Sequence, residues 1–135
     1  MNTLTIAKTD EEWKKELSPD LFQVAREKGT EKPFTGTYYK SKESGMYRCS
    51  VCGNELFSSD AKYDSSSGWP SFDAPTSDEN INLAADRTLG VERTEVLCNK
   101  CGSHLGHVFD DGPTSSGKRY CINSISLQLN KNEET

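Results

Sequence analysis

The pattern of apolar and polar positions changes its period once along the chain. Over the first thirty residues it is helical. Thr9-Asp10-Glu11-Glu12 reads as a capping box, with Thr9 as N-cap and Glu12 three residues on. Trp13 and Leu17 lie four apart and share a helix face. Ser18-Pro19 is a second start signal, an N-cap followed by proline at the first helical position. Leu21, Phe22, Val24 and Ala25 supply the apolar face, and Gly29 is placed to end the helix. From Pro33 onward, glycine, serine and proline punctuate short β-prone runs. The expected strands cover residues 37–40, 46–49, 54–58, 82–85, 93–98, 105–110 and 120–129. In the last, Ile125, Leu127 and Leu129 alternate with Ser124, Ser126 and Gln128, the pattern of a half-buried strand. Residues 65–68 and 113–117 read as loops, and the polar tail 130–135 as frayed. The picture is a mainly β domain spanning 1–135, with a helical segment at about 9–29 and a β-rich body at about 33–129.

Composition adjusts this picture in two ways. A chain of 135 residues suits one domain, but only 33% of it is hydrophobic, so the core is thin and a structural metal would be a natural staple. A net charge of -5, mixed along the chain without single-sign blocks, weighs against a nucleic-acid partner. Residues 1–8 lack the apolar core of a secretion signal, and no run approaches the roughly 20 apolar residues of a membrane span. A soluble, cytoplasmic protein without membrane attachment is expected, where paired cysteines favour metal over disulfides.

Four of the five cysteines form two knuckles, Cys49-Ser50-Val51-Cys52-Gly53 and Cys98-Asn99-Lys100-Cys101-Gly102. Each Cys-x-x-Cys turn can deliver two sulfurs to one ion, and the following glycine lets the backbone turn away without a Cβ clash. Together they close a tetrahedral all-thiolate site with no open position, the pattern of structural zinc. The alternatives are iron in a rubredoxin-like site, or free or disulfide-bonded thiols. A metal here would tie residues 46–52 to residues 96–101.

The fifth cysteine, Cys121, stands apart in Arg119-Tyr120-Cys121-Ile122-Asn123. If 120–129 is extended, Arg119, Cys121 and Asn123 share a face that continues into Ile125 and Leu127. Arg119 would favour a thiolate, and Asn123 could donate a hydrogen bond to it. The alternative is a small buried apolar cysteine. Both histidines of the chain lie in Gly102-Ser103-His104-Leu105-Gly106-His107-Val108-Phe109-Asp110-Asp111. In an extended segment His107, Phe109 and Asp111 share a face, while His104 need not. These are parts for a nucleophile, a proton donor and orienting groups. His104 serves equally well as a structural hydrogen-bonding group near the metal. Gly68-Trp69-Pro70-Ser71-Phe72 is either core or the wall of a pocket for a methyl or sulfur-bearing group.

Taken together, these segments resemble the methionine-R-sulfoxide reductase B family. The resemblance runs through residues 26–36, both knuckles, Ser67-Gly68-Trp69-Pro70-Ser71-Phe72, residues 104–113 and Arg119-Tyr120-Cys121-Ile122-Asn123-Ser124. It implies a fold of two antiparallel sheets with short N-terminal helices and a structural zinc held by Cys49, Cys52, Cys98 and Cys101. It implies that Cys121 attacks the sulfur of methionine-R-sulfoxide, protein-bound or, less well, free, and becomes a sulfenic acid. His107 would supply or relay the proton that the departing oxygen needs. His104, Asp111, Arg119 and Asn123 would hold the hydrogen-bond network. Trp69 would receive the substrate's methyl group, and Phe109 would also contact substrate.

One departure matters. Many members of that family carry a resolving cysteine where this chain has Ser67, and no cysteine outside the knuckles can replace it. The sulfenic acid is therefore expected to be reduced directly by an external thiol, from thioredoxin, glutaredoxin or a small molecule. The expected partners are this reductant and oxidised methionine in proteins, with the chain itself a monomer. A rival reading from another class is a zinc-ribbon binding module, in which Cys121 is inert and Trp69 and Phe72 form a docking surface. A second enzyme reading is a thiol peroxidase, which a pocket aromatic such as Trp69 fits less well.

Overall fold

In the computed structural model the described residues are 9–27, 29–39, 41–65, 67–87 and 93–131. Both expected helix starts form. Helix α1 (Asp10–Glu16) is opened by Thr9, whose side chain accepts from the Glu12 amide while Glu12 reaches back to the Thr9 amide. Helix α2 (Pro19–Ala25) is opened by Ser18, with Pro19 in its first turn. It ends at Ala25, ahead of Gly29, with Arg26 as C-cap. The Arg26 guanidinium stacks on Trp13 and donates to the Cys101 carbonyl at 3.1 Å, fastening the helical segment to the second knuckle.

Among the described residues nine strands follow, all paired antiparallel. They are β1 (Gly45–Cys49), β2 (Glu55–Ser58), β3 (Lys62–Tyr63), β4 (Ser71–Phe72), β5 (Ile81–Asp86), β6 (Arg93–Cys98), β7 (His104–Phe109), β8 (Arg119–Ile122) and β9 (Leu127–Lys131). One sheet has the order β2-β1-β9 and the other β3-β4-β8-β7-β6-β5. This is the expected mainly β fold of two antiparallel sheets with short N-terminal helices. The core lies where the sheets meet. Tyr47, Leu56 and Phe57 come from the smaller sheet, and Phe72, Val96, Leu105, Tyr120 and Ile122 from the larger. Phe57 stacks on Phe72 with centroids 4.4 Å apart, and Tyr47 meets Phe72 edge-on. Among the described residues no helix is long and apolar enough to cross a membrane.

Three expectations need correction. Residues 37–39 form bends and a turn instead of a strand, and Lys40 lies outside the described residues. The Tyr38 amide goes to the Ser124 hydroxyl at 3.1 Å instead of to a ladder. Strands β3 and β4 were not anticipated; at two residues each they carry no readable alternation. The run 120–129 is not one strand. A 3-10 turn at Ser124–Ser126 splits it into β8 and β9, which belong to different sheets. Ser124 and Ser126, expected on the polar face, are buried. Ser124 accepts from Tyr38, and Ser126 donates to the His104 carbonyl at 3.4 Å. Buried hydroxyls that satisfy backbone groups of other segments are stable inside.

Candidate active site and metal centre

Each knuckle hangs from the end of a strand, β1 in the smaller sheet and β6 in the larger. Gly53 (φ 80°) and Gly102 (φ 78°) take left-handed conformations, and each amide returns 2.8 Å to the carbonyl of Cys49 or Cys98. The four sulfurs lie within 4.8 Å of one another, with Cys49–Cys101 at 3.8 Å and Cys52–Cys98 at 3.6 Å. A tetrahedron with metal–sulfur bonds of about 2.3 Å has edges of about 3.8 Å, so the set fits one tetrahedral ion. Hydrogen bonding with Cys101 foremost holds Cys98 far below the ordinary thiol range and pushes Cys49 far above it. A cation that drew all four to thiolate would remove that conflict. This possible metal site joins the two sheets.

On the larger sheet, the register puts Cys121 directly opposite His107 of β7 on one side and Ser71 of β4 on the other. Opposed residues of antiparallel strands project their side chains to the same face. A cavity of about 280 Å³ opens there, and Cys121, His107, Arg119, Asn123, Trp69 and Phe109 all line it. Six of the eight expected catalytic and substrate-binding residues thus meet in one cleft. The other two stand behind it. Asp111 is exposed and grips Arg119 through two bonds, Nε–Oδ1 at 2.8 Å and Nη2–Oδ2 at 3.1 Å. That pair holds the Asp111 carboxyl below its usual range. Arg119 in turn lies 4.5 Å above the Phe109 ring. His104 is buried, with Nδ1 2.6 Å from Glu95 Oε2 and its ring edge-on to His107.

One expected interaction is present and one is not. Arg119 favours the Cys121 thiolate as expected, without being the largest influence on it. Burial is the largest influence and pushes its pKa up, while the Ser67 hydrogen bond and then Arg119 pull it down. Asn123 makes its side-chain bonds elsewhere than at the sulfur. Oδ1 accepts from the Glu31 amide at 2.9 Å, and Nδ2 donates to the Leu105 carbonyl at 2.9 Å.

Three acidic residues were missed. Asp86 Oδ2 lies 2.8 Å from His107 Nε2 and 3.5 Å from Arg93 Nη2. Glu95 holds His104. Glu31 is a three-way tie: its amide bonds Asn123, its carbonyl accepts from Trp69 Nε1 at 2.9 Å, and its carboxylate accepts from the Ile125 amide at 3.0 Å. Glu95 lay inside the expected strand 93–98 and Asp86 one residue past the expected strand 82–85, and neither belonged to any motif. Glu31 lay in a segment quoted only for its resemblance.

The family profile described as the SelR domain matches residues 17–131. A peptide methionine sulfoxide reductase MsrB from Leptospira interrogans is 56% identical over 126 residues, covering 93% of this chain and 96% of that protein. An MsrB from Methanosarcina barkeri is 54% identical over 129 residues, covering 96% and 91%. One from Acinetobacter baumannii is 54% identical over 129 residues, covering 96% and 93%. On these matches the chain belongs to the SelR domain family, the MsrB family of peptide methionine sulfoxide reductases.

Proposed function

We propose that this chain is an oxidoreductase that reduces methionine-R-sulfoxide to methionine, with Cys121 as nucleophile. The observation that carries this reading is the pairing of Cys121 with His107 at the floor of a cleft walled by Trp69 and Phe109. Cys121 attacks the sulfoxide sulfur as thiolate. The sulfoxide oxygen leaves poorly until it is protonated, so an acid must stand beside it. His107 fills that role. Asp86 engages its Nε2, which leaves Nδ1 to carry a proton towards substrate. Attack forms a bond between the Cys121 sulfur and the substrate sulfur, and the protonated oxygen leaves as water. Water then adds to the Cys121 sulfur, breaks the sulfur–sulfur bond and releases the thioether, so Cys121 ends as a sulfenic acid, oxidised as the methionine is reduced.

Trp69 is held by the bond from its indole nitrogen to Glu31, so its ring is a fixed wall for the methyl group. Arg119, steadied by Asp111 and stacked on Phe109, supplies positive charge at the rim. Asn123 and His104 act by holding β7 and the turn after β8 in place. A cleft with fixed and different walls for methyl, oxygen and stem favours one hand of a pyramidal sulfur, and we assign that hand as R. With serine at position 67, the sulfenic acid falls to an external thiol, thioredoxin or a smaller one. Oxidised methionine in proteins is the substrate assigned to the chain, working as a monomeric, cytoplasmic single domain. The four-cysteine site is assigned to zinc, on the strength of its all-thiolate donors and tetrahedral spacing. Bound there, zinc would crosslink the sheets; it takes no part in the steps above.

The test is reduction of separated R and S methionine sulfoxide by dithiothreitol, wild type beside Cys121→Ser. Turnover of the R form alone, lost in the variant, is the expected result. No turnover of either form by folded, zinc-loaded wild type would return the chain to the binding-module reading.

A further inference from the structure

Ser67 does more than occupy the place of a missing thiol. Its Oγ lies 3.8 Å from Cys121 Sγ, and both residues line the cleft. A hydroxyl has one proton to give and two lone pairs. The lone pairs of Ser67 are taken by the Ser65 hydroxyl at 2.8 Å and the Trp69 amide at 3.4 Å. Its proton has two acceptors in reach, the Trp69 carbonyl at 3.4 Å and the Cys121 sulfur. The Trp69 carbonyl also lies 3.1 Å from the Ser71 hydroxyl, so it has a second donor to draw on. A thiolate is the better acceptor of the two, since hydrogen bonds to a charged group are the stronger ones.

The hydroxyls behind Ser67 form a line. Ser71 is fully buried and stands opposite Cys121 across β4 and β8, with its Oγ 2.6 Å from Ser65 Oγ. Ser65 donates to Ser67 and Ser67 to sulfur, two bonds that run one way so that the first polarises the second, while Ser71 gives its own proton to the Trp69 carbonyl and so relieves Ser67 of that acceptor.

The geometry points to Ser67 as a further catalytic residue, whose hydroxyl, backed by Ser65 and Ser71, donates to the Cys121 thiolate. The inference rests on the reductase reading above. It answers a need the cleft creates, because burial opposes ionisation of the nucleophile. The other charged or titratable groups around the sulfur are Arg119 on β8, His107 on β7, Asp111 just beyond it, Arg93 on β6, Tyr63 on β3 and Glu31 before the sheets. Ser67 is the hydrogen-bond donor among them whose contact with the sulfur is in place before substrate binds.

The test is the rate of Cys121 alkylation by iodoacetamide against pH, read by mass spectrometry of the peptide that carries Cys121. Ser67→Ala should be alkylated about tenfold more slowly at neutral pH, the size of one hydrogen bond to a charged group. It should recover at alkaline pH, and kcat with dithiothreitol should follow the same profile while KM holds. Ser67→Thr should restore the wild-type profile. Ser65→Ala should slow alkylation in the same direction but less, and it stands as the deciding variant if Ser67→Ala does not fold. Wild-type alkylation in folded Ser67→Ala, or in Ser65→Ala where that variant decides, would overturn the inference. Alkylation needs no sulfoxide. A wild type that turns over no sulfoxide, yet shows the Ser67 effect on alkylation, would sink the reductase reading instead.

Discussion

Replacing Gly106 by alanine asks whether the β7–β8 contact sets the catalytic geometry. Gly106 pairs with Ile122, one step along the ladder from the His107–Cys121 pair. A methyl group on Gly106 would overlap the Cys121 carbonyl oxygen outright. It would also lie 2.9 Å from Ile122 Cα and 3.0 Å from the Cys121 carbonyl carbon, where ordinary contact begins at 3.4 Å. Relieving the Ile122 contact alone takes about 0.5 Å, the difference between those two distances. Clearing the oxygen takes on the order of 1 Å. The obstacle is backbone, and β8 is held by β4 on its far side, so β7 and β8 must part. Overpacking of this kind costs about 1–3 kcal/mol. Displacing a catalytic group by about 1 Å can cost about 100-fold in rate. The expected result for Gly106→Ala is a kcat lowered about 100-fold and a Tm lowered by about 3–10 °C, with metal content unchanged. Dithiothreitol-driven turnover, scanning calorimetry and metal analysis read the three quantities. Wild-type kcat and Tm would refute the reasoning, because they would mean that strand spacing at Gly106 does not fix sulfur against imidazole.

The remaining predictions concern the metal, the Glu31 tie and pH. Cys49→Ser should lose bound metal, thermal stability and turnover together; a metal-free variant that melts and turns over like wild type would contradict this. Glu31→Ala leaves the part-buried Ile125 amide without its acceptor, at a cost of about 1–3 kcal/mol. It should also raise KM, because the segment whose Glu31 carbonyl holds Trp69 loses its carboxylate anchor to Ile125, and denaturant titration beside steady-state kinetics would detect both. Burial raises the Cys121 pKa, so alkylation of this thiol should increase as pH climbs through that raised value. The same shift has a stability consequence: its contribution is present below the unfolded thiol pKa of about 8.5 and is lost as pH rises from there through the folded value. Comparing the stability of wild type and Cys121→Ser between neutral and alkaline pH isolates that contribution.

Local signals in the sequence were reliable where one short segment decides the outcome. The helix caps at Thr9 and Ser18 formed as read, because a cap is settled within four residues. The knuckles did so too, because Cys-x-x-Cys-Gly encodes its own turn. Where the outcome depends on which strands become neighbours, the sequence was silent or misleading. The 120–129 run alternates correctly for a strand, yet it turns at Asn123 because Ser124 and Ser126 have backbone partners in other segments. Asp86 and Glu95 belong to no motif, and only when β5, β6 and β7 are laid side by side does each carboxylate meet a histidine. Cys121 was legible as the odd thiol, and His107 as its companion. Their direct opposition, with Ser71 on the other side, belongs to the register.

Register also connects the possible metal site to the proposed reaction beside it. Cys98 ends β6, Cys101 closes the knuckle, and His104 begins β7 three residues later. The Cys98 amide bonds the Ser103 carbonyl at 2.9 Å, so the knuckle is the turn of the β6–β7 hairpin. A bulge follows at once, between Val96 and Leu97, and sets which residues of β7 face which of β6. A one-residue slip in that hairpin would turn His107 to the opposite face and away from Cys121. Four thiols drawn to one ion would hold the hairpin's end against such a slip, with the first knuckle anchoring it to the other sheet. The metal site therefore bears on the chemistry through strand register, and the glycine at position 106 lets β8 approach closely enough for that register to bring sulfur to imidazole.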